Sequence, residues 1–392
     1  MVAVDPASSL LADLDHAATT RVRPVVREAM EPFLEDRYGN PSGSHRLARD
    51  AVRAVDEARE RVASVLGCLP GEVVFTSGGT ESDNQAVTGG MPPRDGVPIC
   101  SAVEHHAVLD PVVALGGRTI GVDRWGRIDA AELAAVLDEL GGGVSVVSVM
   151  LANNETGVIN DLDAVAEVIR THGAEVPRTP LHTDAVQAAA WLDLSIAVAA
   201  ADLVSVSGHK LGGPKGIGVL IVRQHTQIRP LLLGGGQERG RRSGTSNVAG
   251  IVGLAAALDA AAAERTATNS RIAALRDRLR DGLAERVPGL VVTVPAASGV
   301  ATAPGICHVC LDGVDAETLL FLMESDGVVA SAASSCSSGA QRNSHVLAAM
   351  GVPDDLAKGS LRLSLGWDST DADVERALEV VPRAVRRVLE FA

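Results

Sequence analysis

The chain has 392 residues, enough for two or three domains, and its 46% hydrophobic and 21% charged residues are typical of a globular protein. Its 35 basic and 49 acidic residues give a net charge of -14, which repels phosphate backbones and disfavours direct nucleic-acid binding. No apolar run reaches the roughly 18 residues that span a bilayer, and the N-terminus lacks the basic stretch of a secretory signal. We therefore expect a cytoplasmic protein without membrane contact.

Short apolar runs alternate with helical patterns over the first two thirds of the chain. Runs of about six residues rich in β-branched side chains, separated by helical spacers, are typical of a mostly parallel, doubly wound sheet. Unrelated buried segments are the alternative. The runs are 72–77, 97–102, 144–150, 180–185, 202–208 and 218–223.

A long helical pattern, from about Val252 to Val287, precedes a smaller unit. This unit contains three strand-like runs, GLVVTV, GICHVCL and SLRLSLG, an amphipathic segment at 315–325 and a final helix. We predict a large α/β domain over 17–255, and a small α+β domain formed by 1–16 and 256–392.

A phosphate site is suggested by FTSGGTESDNQAV (75–87), where a strand end and a Gly-Gly turn lead into a helix that Thr80 opens. Free N–H groups and the positive dipole end at a helix start favour a phosphate. The segment is not a P-loop, because no GK[ST] follows. Taken alone, an ordinary capped helix start explains it better.

Lysine occurs only at positions 210, 215 and 358, so any chemistry that needs an amine has three candidates. Lys210 follows an apolar strand and precedes a glycine-rich turn in SVSGHKLGGPKGIG, where a strand-end residue faces a ligand crevice. Desolvation there would lower its pKa and free the amine for a Schiff base. Ser207 and His209 beside it could serve a phosphate. A solvated loop lysine is the alternative.

Two further strand ends carry polar side chains. Asp184 in LHTDAVQ could keep a pyridinium nitrogen protonated, although a helix N-cap is its competing role. His105 and His106 in SAVEHHAVLD lie at a strand-to-helix junction, where a structural histidine is the commoner case. If these segments meet, one of the two could stack on a cofactor ring.

The five cysteines are too few and too irregularly spaced for a disulfide scaffold. Cys336 lies in the polar run SAASSCSSG, which indicates an exposed, reactive thiol, unlike Cys100 among apolar residues. Cys307 and Cys310 form a C-x-x-C pair whose spacing within a strand points the thiols to opposite faces. With no second pair, we expect no metal site.

Together these segments resemble the cysteine desulfurases that depend on pyridoxal 5'-phosphate (PLP), in the class-V aminotransferase superfamily. The match covers nearly the whole chain, with its motifs in the same order. It implies fold type I, the aspartate-aminotransferase-like fold, with a mostly parallel seven-stranded sheet in the large domain, and a homodimer. The matching segments are LDHAATT, YGNPSGSH, SGGTESDN, EHHAVLD, ANNETG, HTDAVQ, SGHKLGGPKGIG, GGGQERGRRSGT and SLRLSLG.

The resemblance also implies roles for individual residues. Cys336 would take the sulfur of L-cysteine as a persulfide and hand it to a separate acceptor protein, leaving L-alanine. Lys210 would attach PLP and move the Cα proton, and His105 would stack on its ring. Arg362 would clamp the substrate carboxylate, with Asn154 close by. The remaining cofactor contacts would be Gly79, Thr80, Asn154, Asp184, Gln187, Ser207 and His209, and Thr245 from the partner subunit.

The chain departs from the family near the reactive cysteine, with Ala333 in place of a usual glycine and Arg342 and Asn343 in place of an acidic-Pro pair. We expect the first change to hold Cys336 more rigidly. A selenocysteine lyase or an aminotransferase on the same fold is an alternative, and transamination would need no protein thiol. A non-catalytic PLP scaffold is another. The sequence leaves open whether the sulfur serves iron–sulfur clusters, tRNA thiolation or DNA modification.

Overall fold

The computed structural model describes residues 11–89, 96–173, 178–332 and 344–391. The strands in these ranges are β1 Ala12–Asp13, β2 Val73–Thr76, β3 Val97–Ser101, β4 Arg118–Ile120, β5 Val144–Ser148, β6 Leu181–Asp184, β7 Leu203–Ser207, β8 Gly218–Val222, β9 Leu290–Val292, β10 Ile306–Leu311, β11 Val328–Val329 and β12 Ser360–Ser364. The helices are α1 Pro24–Leu34, α2 Arg46–Leu66, α3 Gly79–Thr88, α4 His106–Ala114, α5 Ala130–Leu140, α6 Leu162–His172, α7 Leu194–Ala197, α8 Val248–Arg286, α9 Ala316–Ser325, α10 His345–Ala349, α11 Asp354–Ala357 and α12 Asp371–Phe391.

Within the described ranges, seven strands form the main sheet, in the order β2-β8-β7-β6-β5-β3-β4. The pairings from β7 through to β4 are parallel, and β8 joins β7 and β2 in antiparallel fashion. Every residue of β5 to β8 is buried, as expected for strands covered by helices on both faces. The predicted seven-stranded, mostly parallel sheet is confirmed, and each of the six predicted runs contains one of its strands.

The C-terminal part has the predicted α+β character. Strands β12, β10 and β9 form an antiparallel sheet, and β1 pairs with β11 in parallel. Their apolar residues pack with α9, α12 and the second half of α8 in one hydrophobic cluster, to which Ala12 and Leu14 also contribute. The main sheet has a separate cluster.

Helix α8 contributes to both clusters: Val248 to Ala261 to the first, and Ile272 to Leu283 to the second. The predicted domain boundary at 255/256 therefore lies inside a continuous helix, and this division stays a prediction. Among the helices described, none is both long and apolar enough to cross a bilayer.

Candidate active site

A cleft lies where the carboxyl ends of β6 and β7 meet the start of α3. In open α/β sheets this edge is the usual ligand site, because strand ends and helix starts converge there. Asp184 ends β6, Ser207 ends β7, and Lys210 follows in a short helical turn. The cleft is lined by ten of the predicted site residues: Gly79, Thr80, His105, Asn154, Asp184, Gln187, Ser207, His209, Lys210 and Arg362.

Lys210 is held at the cleft by the chain that follows β1. Its Nζ donates hydrogen bonds to the carbonyl oxygens of Ala17 and Ala18. The Ala17 carbonyl also accepts a hydrogen bond from Gln187 Nε2 at 2.7 Å. The other two lysines, Lys215 and Lys358, are exposed and do not line this cleft. Of the three lysines, Lys210 is therefore the one whose side chain lines this cleft.

Asp184 supplies a buried carboxyl group at the base of the cleft. It is 5% exposed, and its Oδ1 accepts a hydrogen bond from the Val186 N–H at 2.8 Å. Burial raises the pKa of Asp184, while nearby His105 and Lys210 act in the opposite direction. A cation bound beside this carboxyl would favour its ionised form, which suits it to a protonated ring nitrogen.

The structure distinguishes the two adjacent histidines. His105 precedes α4 and caps it, since its Nδ1 accepts a hydrogen bond from the Ala107 N–H at 3.1 Å. Burial lowers the pKa of His105, so its ring is neutral near pH 7 and carries its proton on Nε2. His106 does not line the cleft; its Nδ1 lies 3.0 Å from Asp110 Oδ1.

The first turn of α3 has a backbone geometry that suits an anion. Gly78 adopts φ 156° and ψ -176°, a backbone region that is essentially confined to glycine. A Cβ on Gly79 would lie only 2.8 Å from Val186 Cγ2, so any side chain at this position would clash with Val186. The open N–H groups of this turn, next to Thr80, match the requirements of a phosphate.

His209 completes this side of the cleft. Its Nδ1 lies 3.1 Å from Thr19 Oγ1, and burial, reinforced by Lys210 and Lys215, lowers the pKa of His209 to about 4. The neutral ring can donate a hydrogen bond to an anion without adding charge.

Arg362 reaches the cleft from β12, where it pairs with His308 of β10. Its Nη2 lies 2.9 Å from Asp15 Oδ1, and its Nη1 donates to the Asn154 carbonyl at 3.0 Å. The side chain is 4% exposed, and its Nε has no hydrogen-bond partner among the described residues. The guanidinium is therefore held in one orientation, and a substrate carboxylate would share it with Asp15.

The remaining two predicted site residues are Thr245 and Cys336. Thr245 is exposed and does not line the cleft. The loop that carries Thr245 is anchored to the first turn of α3, because Arg242 Nε donates to Glu81 Oε1 at 2.8 Å. Cys336 lies outside the described residues, as do Ala333 and the departures at 342–343.

Sequence reasoning missed several residues of the cleft: Ala17, Ala18, Asp83 and Val186. The signal for Asp83 was present, since it follows Gly79 by four residues and so lies on the same face of α3. Nothing in the alanines or the valine distinguishes them from ordinary core residues.

Both cysteines of the C-x-x-C pair are buried. Cys307 packs in the C-terminal hydrophobic cluster, whereas Cys310 packs with Val103 and Met350 in another, so the two thiols lie on opposite faces of β10 as predicted. Burial raises the pKa of Cys307 to about 12, which leaves almost no thiolate at neutral pH.

Glu155 gives a testable pH dependence. It is 4% exposed and accepts a hydrogen bond from the Ser344 hydroxyl. Burial raises its pKa to about 7, against the opposing effects of Ser344 and Arg362. The native state therefore holds this proton more tightly than the unfolded chain does, and the free energy of unfolding falls as pH rises from 4.5 to 7.

In Glu155→Gln this loss should disappear, so that between pH 4.5 and 8 the wild type loses about 3 kcal/mol more stability than the variant. Urea unfolding across this range measures the difference. Glu60→Gln, an exposed change on α2, should keep the wild-type profile. Parallel profiles for wild type and Glu155→Gln would refute the prediction.

Comparison with known proteins agrees with this geometry. Residues 13–377 match the family model described as Aminotransferase class-V. A cysteine desulfurase of Gluconacetobacter diazotrophicus is 41% identical over 388 residues, covering 97% of this chain and 94% of the relative.

Solved structures are similar over the same length. A NifS-like protein superposes with a TM-score of 0.87 at 34% identity, covering 97% of this chain and all of that chain. SspA in complex with cysteine has a TM-score of 0.75 at 29% identity, covering 92% of this chain and all of that one.

The chain belongs to the class-V aminotransferase family. Within that family its similarity is to the cysteine desulfurases, over nearly the full length of both chains. The resemblance and fold type predicted from the sequence are confirmed.

Proposed function

We propose that this protein is a PLP-dependent cysteine desulfurase, which converts L-cysteine to L-alanine and transfers the sulfur to Cys336 as a persulfide. The observation that carries the proposal is the convergence of Lys210, Asp184, His105 and Arg362 on one cleft. Near-full-length similarity to cysteine desulfurases supports the activity. A structural neighbour in complex with cysteine supports the substrate.

The residues present fit the proposed cofactor. The buried Asp184 carboxyl suits its ring nitrogen, and the helix start at Gly79 suits its phosphate. Lys210 would attach it covalently, while Gln187 and Asn154 would lie near its phenolic oxygen. Thr80, Ser207 and His209 would bind the phosphate. When bound, the cofactor supplies an electron-withdrawing ring that stabilises negative charge at the substrate Cα.

The protein's own groups would perform the remaining steps. Arg362 would bind and orient the substrate carboxylate. Lys210 would move the proton at Cα, and His105, neutral with a proton on Nε2, is suited to proton exchange near the substrate sulfur. The Cys336 thiolate would attack that sulfur. The new S–S bond would form as the Cβ–S bond breaks, and protonation of the carbon would complete alanine.

A homodimer is part of the proposal. Thr245 is exposed on its own subunit, and the nearby Leu231, Leu232 and Leu233 are 42%, 42% and 85% exposed. A run of three exposed leucines is unfavourable in water, so a second copy covering it would stabilise the assembly and bring Thr245 to the neighbouring phosphate. We also propose a cytoplasmic location and a separate acceptor protein for the sulfur.

The test is Cys336→Ser. This variant should bind PLP as the wild type does but form no protein persulfide from L-cysteine, because a serine hydroxyl cannot retain sulfane sulfur. Alkylation of the protein after a single turnover, followed by peptide mass spectrometry, locates the persulfide. Amino-acid analysis of the same reaction measures the alanine released.

Cys68→Ser is the matched control, since burial raises the pKa of the Cys68 thiol to about 11 and makes it a poor nucleophile. It should retain wild-type persulfide formation. A wild-type rate of sulfide release from Cys336→Ser would reject the proposed route. Selenide release by that variant, with sulfide release abolished, would instead favour a selenocysteine lyase.

A further inference from the structure

Beneath the cleft, a chain of buried hydrogen bonds crosses β5, β6 and β7 and ends at Ser205, the residue that pairs with Asp184 in the sheet. Ser148 Oγ lies 2.8 Å from His182 Nδ1, and His182 Nε2 lies 3.0 Å from Ser205 Oγ. The Ser205 hydroxyl in turn interacts with the Asp83 carboxyl and lowers its pKa. These four residues are all at least nine-tenths buried, so solvent does not compete for these contacts.

Asp83 has an unsatisfied side-chain atom. Its Oδ1 has no hydrogen-bond partner among the described residues, although the side chain lines the cleft. The nearest ring nitrogen, His182 Nε2, is 3.6 Å from Oδ1 and already bonded to Ser205. An ionised carboxylate in this position would be buried with a single hydroxyl donor, which is costly.

The neighbouring groups make ionisation of Asp83 still less favourable. Burial raises its pKa well above the usual range, and the Asp184 and Glu104 carboxyls act in the same direction. Glu104 is itself fully buried, with Oε2 lacking a partner among the described residues. His182 cannot compensate, since burial lowers its pKa to about 3 and keeps it neutral.

We propose that Asp83 is a positioning residue that acts through Asp184: a protonated carboxyl, anchored by Ser205, whose dipole stabilises Asp184 as the carboxylate facing the cofactor's ring nitrogen. The protonation of Asp83 follows from this chain's own contacts, whereas its role toward the ring nitrogen rests on the proposed function. Replacing the carboxyl by an apolar group would make the Asp184 carboxylate less favourable and would draw the shared proton from the ring to Asp184.

Infrared difference spectra of wild type and Asp83→Asn test the protonation. The wild-type spectrum minus the Asp83→Asn spectrum should contain a carboxylic-acid C=O band at neutral pH, with and without PLP. Glu104 contributes equally to both proteins and cancels. Glu81→Gln is the control, because Glu81 is ion-paired with Arg242 and its replacement should remove a carboxylate band instead. Loss of a carboxylate band in Asp83→Asn would overturn the proposal.

The positioning role is tested with holoenzyme carrying PLP labelled with ¹⁵N in its ring. Asp83→Asn, neutral and polar, should keep the wild-type ¹⁵N shift and kcat within threefold. Asp83→Leu should move the shift toward that of unprotonated pyridine and lower kcat at least tenfold, with KM for cysteine changed less than twofold. A wild-type shift in Asp83→Leu would refute the role.

Two safeguards keep the outcomes distinct. If Asp83→Leu does not fold, Ser205→Ala replaces it, since this change removes the hydroxyl that anchors Asp83 and leaves the carboxyl. Ser205→Ala should move the ¹⁵N shift in the same direction. An unchanged shift would count against the proposal. If the wild type itself takes up no PLP, the proposed function fails, while the infrared result without cofactor still decides the state of Asp83.

Discussion

Lys210→Ala is expected to abolish covalent attachment of PLP and all sulfur release. Of the three lysines, only Lys210 lines the cleft; Lys215 is exposed, and Lys358 is exposed and paired with Asp355 at 2.8 Å. No other amine side chain can therefore substitute for it. Borohydride reduction followed by intact-mass measurement should show one added cofactor per wild-type chain and none in the variant.

Lys215→Ala and Lys358→Ala serve as matched controls and should each retain the added mass. Because Lys210 Nζ also bonds the carbonyls of Ala17 and Ala18, the variant's thermal unfolding should be checked alongside. A folded Lys210→Ala protein that still gains cofactor mass on reduction would disprove the assignment.

Arg362→Lys should lower kcat/KM for L-cysteine by about 10- to 100-fold, the cost of about 1.5–3 kcal/mol for losing a charge-assisted hydrogen bond. Lysine keeps the charge but lacks the planar fork that binds a carboxylate with two bonds. Most of the change should appear in KM, because the contact is made to a carboxylate that does not react. Steady-state kinetics with cysteine measure both parameters.

Arg376→Lys is the control, since Arg376 pairs with Glu379 on the surface of α12 and should leave kinetics unchanged. Asp15→Asn tests the surrounding geometry: it removes the carboxylate that lies against Arg362 and should lower KM. A KM for Arg362→Lys within twofold of wild type would argue against a role in binding the substrate carboxylate.

Much of the fold was predictable because buried parallel strands have a simple signature. The run 144–150, for example, has four valines in seven residues and contains strand β5 of the main sheet. Strand β4 escaped prediction because it has three residues, two of them exposed, and no apolar run. The start of α8 was predicted four residues late, since Asn247 caps it through its side chain rather than through a hydrophobic pattern.

The site was predictable as a set of residues but not as an arrangement. The strand-end positions and the order of the motifs predicted that Asp184, Lys210 and Arg362 belong to one site, and all three line the cleft. The contacts that orient them were not visible, because Asp15 and Arg362 are 347 residues apart in the chain. The sequence also could not tell which of His105 and His106 faces the cleft. That depends on the residue at which α4 begins, and a shift of one residue would exchange the two.

The continuity of α8 determines whether this chain can be divided into fragments that fold. The helix has 39 residues, and at 1.5 Å per residue it is about 58 Å long. Ala256, Ala257, Leu258 and Ala261 lie beyond position 255 yet pack in the core of the main sheet. A fragment ending at 255 would lose part of its own core, and the remaining fragment would expose that apolar stripe to water. We therefore expect neither fragment to fold by itself.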